Sequence, residues 1–201
     1  MQTIREPTTL VREAREDDLE SVVAVLYAAN AQFEHVLPAA LYRAYLANVL
    51  DVRSRMAHSR LFVAEHEGRI VGTITLYPDA SREGWGWPAR WAGIRAMAVT
   101  PTARGLGIGR RLAQECIDQA RARGAEAICL HTASFMAAAV AMYESLGFRR
   151  RPAFDRQADA MFAAAASADP TLALAYCLHL QADLATSAER PSLPDTSRTL
   201  R

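Results

Sequence analysis

Three glycines at alternate positions, Gly105, Gly107 and Gly109, follow an apolar strand predicted over 93–99 and lead directly into a helix. Glycine lets the backbone come close to a ligand and adopt dihedral angles that other residues resist. A helix start carries unpaired N–H groups and the positive end of the helix dipole, which together hold a phosphate. Three guanidinium groups suited to phosphate oxygens stand in or beside the loop: Arg104, Arg110 and Arg111. The sequence therefore predicts an anion-binding cradle.

Two common phosphate-binding motifs do not fit this loop. A Walker loop needs Gly-Lys-Ser/Thr at the helix start, and the chain contains no lysine. A dinucleotide fingerprint needs G-x-G-x-x-G beside the first strand of a βαβ unit, whereas here the third glycine comes too early and the loop lies in mid-chain. A nucleotide-binding, kinase-like protein is thus disfavoured, and a glycine turn that binds nothing stays open as an alternative.

The loop and a second segment together resemble a known family. The loop reads Arg104-x-x-Gly107-x-Gly109 after a strand that ends in Met97-Ala98-Val99. The second segment, 139–148, reads Ala-x-x-Met-Tyr-Glu-Ser-Leu-Gly-Phe. In this order and at this separation they are similar to the coenzyme A-binding motif and the A-x-x-h-Y-E-x-x-G-F signature (h, apolar) of the GNAT superfamily of N-acetyltransferases. The resemblance extends over roughly residues 10–180.

The resemblance implies acetyl-CoA as the co-substrate and no metal. In this family the strand before the loop separates from the next strand, here 127–132, and pantetheine lies in the gap against the backbone of the first strand. The loop and the helix start then hold the pyrophosphate. The cofactor-binding residues implied in this way are Met97, Ala98, Val99, Arg104, Gly105, Leu106, Gly107, Ile108, Gly109 and Arg110.

Tyr143 is the catalytic residue that the resemblance implies. The family motif places the hydroxyl of this tyrosine near the sulfur of coenzyme A, where a phenol can protonate the departing thiolate as a general acid. A backbone N–H near 97–99 would polarise the thioester carbonyl. The alternative is a core tyrosine on an amphipathic helix.

The general base is harder to assign. Many family members carry a glutamate early in the strand that corresponds to 93–99, but this chain reads Trp-Ala-Gly-Ile-Arg over 91–95. Glu83, Glu34 and His131 are candidates, each with the alternative of a solvated loop acid or a strand-end histidine. Met136 stands where many members place an asparagine, so one hydrogen bond to the cofactor is expected to be missing.

Two segments are candidates for the wall of an acceptor site. The loop 84–91 carries three tryptophans, whose faces suit an apolar or cationic acceptor. These rings could instead cover the sheet edge or join a homodimer contact. The linker Asn30–Pro38 between the first two helices is the other candidate, with an ordinary inter-helix loop as its alternative.

The elements that must position these residues predict an α/β (α+β) fold. Apolar periodicity and turn residues predict the order βααβββαβαββ, which the GNAT resemblance interprets as a mixed, mostly antiparallel central sheet flanked by helices. Residues 1–180 are expected to form one N-acetyltransferase domain, and the polar, Ser- and Pro-rich stretch 181–201 a flexible tail.

Composition excludes several classes of protein. A net charge of +1 does not indicate a nucleic-acid-binding surface, and the apolar runs fall short of the roughly 18 residues of a membrane span. Three widely spaced cysteines have no metal-ligand spacing: Cys116, Cys129 and Cys177. They favour reduced core thiols and a cytoplasmic location.

The sequence thus predicts an acetyl-CoA-dependent N-acetyltransferase in which a primary amine attacks the thioester directly within a ternary complex. The acceptor is a small-molecule or peptide amine. The alternative is a non-catalytic acyl-CoA-binding sensor or regulatory module, to which the missing strand glutamate gives some weight.

Overall fold

The computed structural model describes residues 9–166 and 170–180. The tail predicted over 181–201 lies outside the described residues. The described strands are β1 (Thr9–Glu13), β2 (Arg60–His66), β3 (Arg69–Tyr77), β4 (Trp91–Val99), β5 (Ala127–Thr132), β6 (Arg149–Arg150), β7 (Arg156–Gln157) and β8 (Leu172–His179). The helices are α1 (Leu19–Asn30), α2 (Ala39–Leu50), α3 (Val52–Met56), α4 (Ile108–Ala122), α5 (Ala137–Ser145) and α6 (Ala158–Met161).

One twisted sheet runs through the described chain in the order β1-β2-β3-β4-β5-β8-β6, with β7 paired to β8. Its neighbours are antiparallel except for β4 and β5, which are parallel. The predicted mixed, mostly antiparallel sheet flanked by helices is confirmed. β2 and β3 form a hairpin, and its turn residues Glu67 and Gly68 both have positive φ, as a tight hairpin turn that follows the strand twist requires.

Alternation along the strands separates two apolar layers. Leu61 and Val63 of β2 face α1, while Phe62 and Ala64 face α4, because successive side chains of a strand point to opposite faces. The amphipathic helix α4 buries one stripe against the sheet: Ile108, Leu112, Ala113, Cys116, Ile117 and Ala120. α1 and α4 therefore pack against opposite faces of β3 and β4. Of these two strands, β4 leads into the glycine loop.

One strand of the predicted order, the last but one, is interrupted. Its apolar and turn pattern predicts a continuous strand over 148–155, but the segment forms the short β6, then a 3-10 turn at Pro152–Phe154, and then the short β7. Proline fixes φ and has no N–H to donate to a sheet, so it interrupts the pairing with β8. The interruption directs the chain away from the sheet, and α6 follows at its end.

Candidate active site

β4 and β5 separate where the resemblance expects a gap. Their paired residues run from Trp91 opposite Ala127 to Ile94 opposite Leu130 and go no further, although both strands continue. β4 also holds one more residue than β3 between the pairs Thr75–Arg95 and Thr73–Ala98. Ala96 in this bulge has φ +49°. Such a bulge bends its strand and increases the local twist, which turns the end of β4 away from β5.

The glycine loop is anchored at both ends and open between them. Thr100 N–H donates to the Val71 carbonyl at 2.8 Å before the loop, and the buried Ile108 begins α4 after it. Gly105 and Gly107 have φ +83° and +73°, and a Cβ on either would meet no heavy atom within 4 Å. The backbone here needs glycine for its conformation, and its surroundings leave room for a ligand.

The positive charges around the loop have no carboxylate partner within residues 9–166 and 170–180. Arg104 donates to the Ala29 carbonyl at the end of α1 at 3.3 Å, Arg110 donates to Ser145 Oγ, and Arg111 donates to the Thr9 carbonyl at 3.3 Å. In the part of the chain that the structure describes, none of the three is ion-paired with a carboxylate. The first-turn N–H groups of α4 and these cations thus favour an anion at the loop.

The remaining predicted cofactor-binding residues lie around the gap between the strands. Ala98 is buried against α1, and Met97 and Val99 pack on the α4 side. Leu106 is 52% exposed at the tip of the loop. Gly109 lies against the sulfurs of Met142 and Met97, 3.4 and 3.7 Å from where its Cβ would be. The structure therefore places these ten residues along the end of β4, the glycine loop and the first turn of α4.

Tyr143 on α5 lies below the gap. Its side chain is 4% exposed, and its hydroxyl is 3.4 Å from the Met97 sulfur, to which it donates. Burial raises the pKa of the Tyr143 hydroxyl above its ordinary value because the charged phenolate is poorly solvated there. The residue therefore keeps its proton at neutral pH beside the strand that would hold the thioester.

A cavity of about 140 Å³ opens beside the gap, between β4, β5, α2, α5 and the segment that follows β7. Its lining is mainly apolar and aromatic, and it also includes Met97 and Tyr143. The side chains around it are Leu37, Leu41, Tyr45, Asn48, Val49, Trp85, Ile94, Arg95, Ala96, Met97, Leu130, His131, Thr132, Ala133, Phe135, Met136, Ala139, Tyr143, Ala158, Met161, Phe162, Thr171, Leu172 and Ala173.

The three candidate bases are not equivalent. Glu34 is exposed in the linker between α1 and α2, and Glu83 is buried without lining the cavity. His131 lines the cavity, and its Nε2 donates to the Phe154 carbonyl at 2.8 Å. Its Nδ1 is then an acceptor, and this buried atom has no hydrogen-bond partner among the residues that the structure describes. Desolvation lowers the pKa of His131 to about 4, so the ring is neutral near pH 7.

The tryptophan loop divides between the cavity and the sheet. Trp85 lines the cavity, and the Arg95 guanidinium stacks on its ring at 3.8 Å from the centroid. Trp87 and Trp91 instead cover the sheet together with Phe154. A protein cation thus covers one face of Trp85, and the role of the tryptophan faces toward an apolar or cationic acceptor stays a prediction.

The linker Asn30–Pro38 contributes one side chain to the lining of the cavity, as the tryptophan loop does. Leu37 lines it, and Phe33 contacts Phe135 edge-on with ring centroids 5.2 Å apart. Residues that the sequence analysis did not single out contribute more, notably Asn48, Arg95 and Phe162. An arginine inside the otherwise apolar strand β4 was the one available signal.

Comparisons with known proteins identify the family. The sequence model of the Acetyltransferase (GNAT) family matches residues 10–148, more than half of the chain. This chain belongs to the GNAT acetyltransferase family. The predicted enzyme class, an acyltransferase, is the class that the names of its GNAT relatives give.

Two curated GNAT relatives show the range of the similarity. The probable N-acetyltransferase camello of Xenopus tropicalis is 33% identical over 138 residues, which are 66% of this chain and 59% of that protein. The IAA acetyltransferase of Azospirillum brasilense is 36% identical over 115 residues, 57% of this chain and 71% of that protein. The matched part of the chain thus spans between about three fifths and seven tenths of these relatives.

A solved GNAT structure shows the same fold at low identity. The PaiA N-acetyltransferase of Thermoplasma acidophilum, determined in complex with coenzyme A, has a TM-score of 0.62 at 13% identity and covers 86% of this chain and 99% of that one.

Among residues 9–166 and 170–180, no helix is both long and apolar enough for a membrane crossing. The same residues contain no group of three or more His, Cys, Asp or Glu side chains arranged to hold a metal ion.

Proposed function

We propose that this chain transfers the acetyl group of acetyl-CoA to a primary amine by direct attack within a ternary complex. The observation that carries the proposal is the gap between β4 and β5, with the glycine loop at one end and the Tyr143 hydroxyl beneath it. This arrangement combines an anion-binding site at the loop, a groove for the pantetheine arm of coenzyme A in the gap, and a neutral proton donor at Tyr143. Family membership supports the same reaction class.

The residues of the loop fit the pyrophosphate of coenzyme A. The first-turn N–H groups of an α-helix have no partner within the helix, and the space beside Gly105 and Gly107, just before α4, is open. Arg104 and Arg110 add positive charge that no described carboxylate neutralises. Bound acetyl-CoA would supply the activated acyl group, and the backbone of Met97–Val99 would orient it.

Tyr143 acts as the general acid in this proposal. Its raised pKa keeps the phenol protonated, and the hydroxyl can pass its proton to a thiolate that leaves next to Met97. Of the three candidate bases, His131 is the one that lines the cavity, where its bare Nδ1 can accept a hydrogen bond from the attacking amine. Its low basicity favours an amine that arrives neutral.

The second candidate function is an acyl-CoA-binding sensor. It is favoured by the absence of a carboxylate among the described residues that line the cavity. Calorimetry with acetyl-CoA and release of free coenzyme A against a panel of amines separate the two. Binding with amine-dependent release supports the transferase, binding without release from any amine supports the sensor, and no heat of binding with any CoA thioester refutes both.

A further inference from the structure

The cavity beside the gap contains one charged group. Of the described residues that line it, Arg95 alone is charged at neutral pH, because His131 is neutral and the others are apolar, amide, hydroxyl or thioether side chains. A ligand in this cavity therefore meets a positive field and no negative side chain. A protonated amine without an acidic group is disfavoured by that field.

Arg95 is held in place by neutral partners. Its guanidinium donates to Asn48 Oδ1 and stacks on Trp85 at 3.8 Å from the ring centroid. No carboxylate in the described chain lies within ion-pair distance of it. A guanidinium can donate five hydrogen bonds in a planar fork that matches a carboxylate. Arg95 thus presents a fixed cation that has no carboxylate counter-ion among the described residues.

The nearest acid does not neutralise this charge. The carboxyl group of Glu83 is buried behind Arg95, and its Oε1 has no hydrogen-bond partner. Burial raises the pKa of Glu83 to about 8 even though Arg95 acts against the shift. Glu83 is therefore mostly neutral at pH 7, which leaves the positive charge of Arg95 available to a ligand.

The rest of the cavity fits an apolar body. Its volume of about 140 Å³ is close to the roughly 150 Å³ of an engineered apolar cavity that binds benzene. Aromatic and aliphatic side chains from four elements surround it: Leu41, Trp85, Phe135, Met161 and Phe162. The Trp85 ring contacts both the Arg95 guanidinium and the His131 ring, whose centroid is 5.6 Å from its own. The Arg95 guanidinium and the His131 ring, whose Nδ1 is an unpaired acceptor, thus flank the Trp85 ring.

We infer that the acceptor is an apolar or aromatic free amino acid, whose carboxylate pairs with Arg95 while its amine points toward His131 and the Met97 end of the cavity. This inference rests on the proposed acetyl transfer and names the substrate class of the same site. The products are an N-acetylated amino acid and free coenzyme A. The N–C bond forms as the C–S bond breaks, and Tyr143 protonates the leaving thiolate. The nitrogen releases its proton to solvent, from which the Tyr143 phenol is restored.

The test compares each amino acid with its own carboxamide. Acetylation of L-phenylalanine, L-leucine and L-methionine is measured against that of the three amides, with spermidine as a cationic acceptor. The amide keeps the body and the amine but loses the charge, and its amine is the more easily deprotonated, so reactivity alone would favour it. We expect kcat/KM about 10- to 100-fold higher for the acids, the range of a charge-assisted hydrogen bond.

Arg95 variants assign the preference to this side chain. Arg95→Gln should reduce the acid-to-amide ratio to within about twofold of one, and Arg95→Lys should keep most of it because the charge remains. Arg121→Gln, at the exposed far end of α4, should leave the ratio unchanged. Melting temperatures show whether each variant folds. The comparison of acids with amides on the wild-type protein remains valid even if Arg95→Gln does not fold.

The possible failures are distinguishable. Amides or spermidine acetylated as fast as the acids, or bound acetyl-CoA with no amino acid of the panel acetylated, would overturn the inference about the acceptor. An unchanged acid preference in a folded Arg95→Gln would also overturn it. A folded protein that does not bind acetyl-CoA at all would instead refute the proposed function, on which the inference about the acceptor rests.

Discussion

The carboxyl group of Glu83 occupies the space that a side chain at Gly93 would need. A Cβ built on Gly93 would lie 1.8 Å from Glu83 Oε1 and 3.3 Å from the Cβ of Ala80. The acid that many family members carry on this strand is absent from β4, yet a carboxyl group reaches the strand from the 3-10 turn Ala80–Glu83 in the preceding loop. Residues 93 and 95 share a face of β4. The Glu83 carboxyl group, which fills the space at position 93, therefore lies beside the Arg95 side chain.

Gly93→Ala should destabilise the protein by about 1–3 kcal/mol, the range of an overpacked core site. The added methyl group collides with a buried carboxyl that has little room to move. Urea unfolding at fixed pH measures the change. In a Glu83→Ala background the same substitution should have less than half that effect, with Ala80 as the remaining close neighbour. Equal effects in both backgrounds would show that Glu83 does not fill this space.

Glu83→Gln should change how stability depends on pH. The carboxyl has a pKa of about 8 in the folded protein against an ordinary 4.5. Between these values the folded state retains a proton that the unfolded chain has released, so stability falls as the pH rises. Glutamine does not titrate, and the fall of up to about 1.4 kcal/mol per pH unit should disappear.

The informative window for this measurement is pH 6.5 to 8. His131 has the opposite shift, to a pKa of about 4 from 6.5, so its contribution grows as the pH rises to 6.5 and is complete above that value. Urea midpoints of the wild type and Glu83→Gln should therefore diverge in slope within the window. Parallel curves would mean that Glu83 is not buried as a neutral acid.

Gly107→Ala should weaken acetyl-CoA binding, with Gly124→Ala as its matched control. Both glycines have φ +73° and open space at the Cβ position, and they flank opposite ends of α4. Each substitution should cost about 1–2 kcal/mol of stability because the left-handed conformation disfavours a side chain. Calorimetry should show a loss of at least about tenfold in affinity for Gly107→Ala alone. Equal acetyl-CoA affinities in the two variants would show that the cradle does not lie at Gly107.

Tyr143→Phe should lower kcat by about 10² to 10⁴, the contribution of a general acid, with little change in acetyl-CoA affinity. Tyr176→Phe is the control, since this buried hydroxyl donates to Glu144 at 3.1 Å and does not line the cavity. Steady-state kinetics on both variants separates chemistry from packing. A rate for Tyr143→Phe no lower than that of Tyr176→Phe would assign Tyr143 to the core.

Local backbone chemistry made the cofactor side of the site readable from the sequence. The glycines at 105 and 107 take the positive φ angles that their loop needs, and the apolar stripe of α4 follows helical spacing. Gly124 ends that helix with positive φ, as its position predicts. Each signal is contained within a few residues, so the sequence alone predicts the sheet flanked by helices and the position of the glycine loop, whereas the role of the ten residues around the loop stays a prediction. The homodimer and the cytoplasmic location stay predictions.

The acceptor side depends on contacts between residues far apart in the chain. Arg95, Asn48, Trp85, His131 and Phe162 come from five elements or loops, and they meet through sheet pairing, the bulge at Ala96 and the turn that Pro152 imposes. No local pattern states which acid fills the space at position 93 or which cation lacks a counter-ion. Composition and motifs thus determine the family and predict its cradle, whereas the charge and shape of the cavity beside β4 arise from packing alone, because desolvation and contact are properties of neighbours in space.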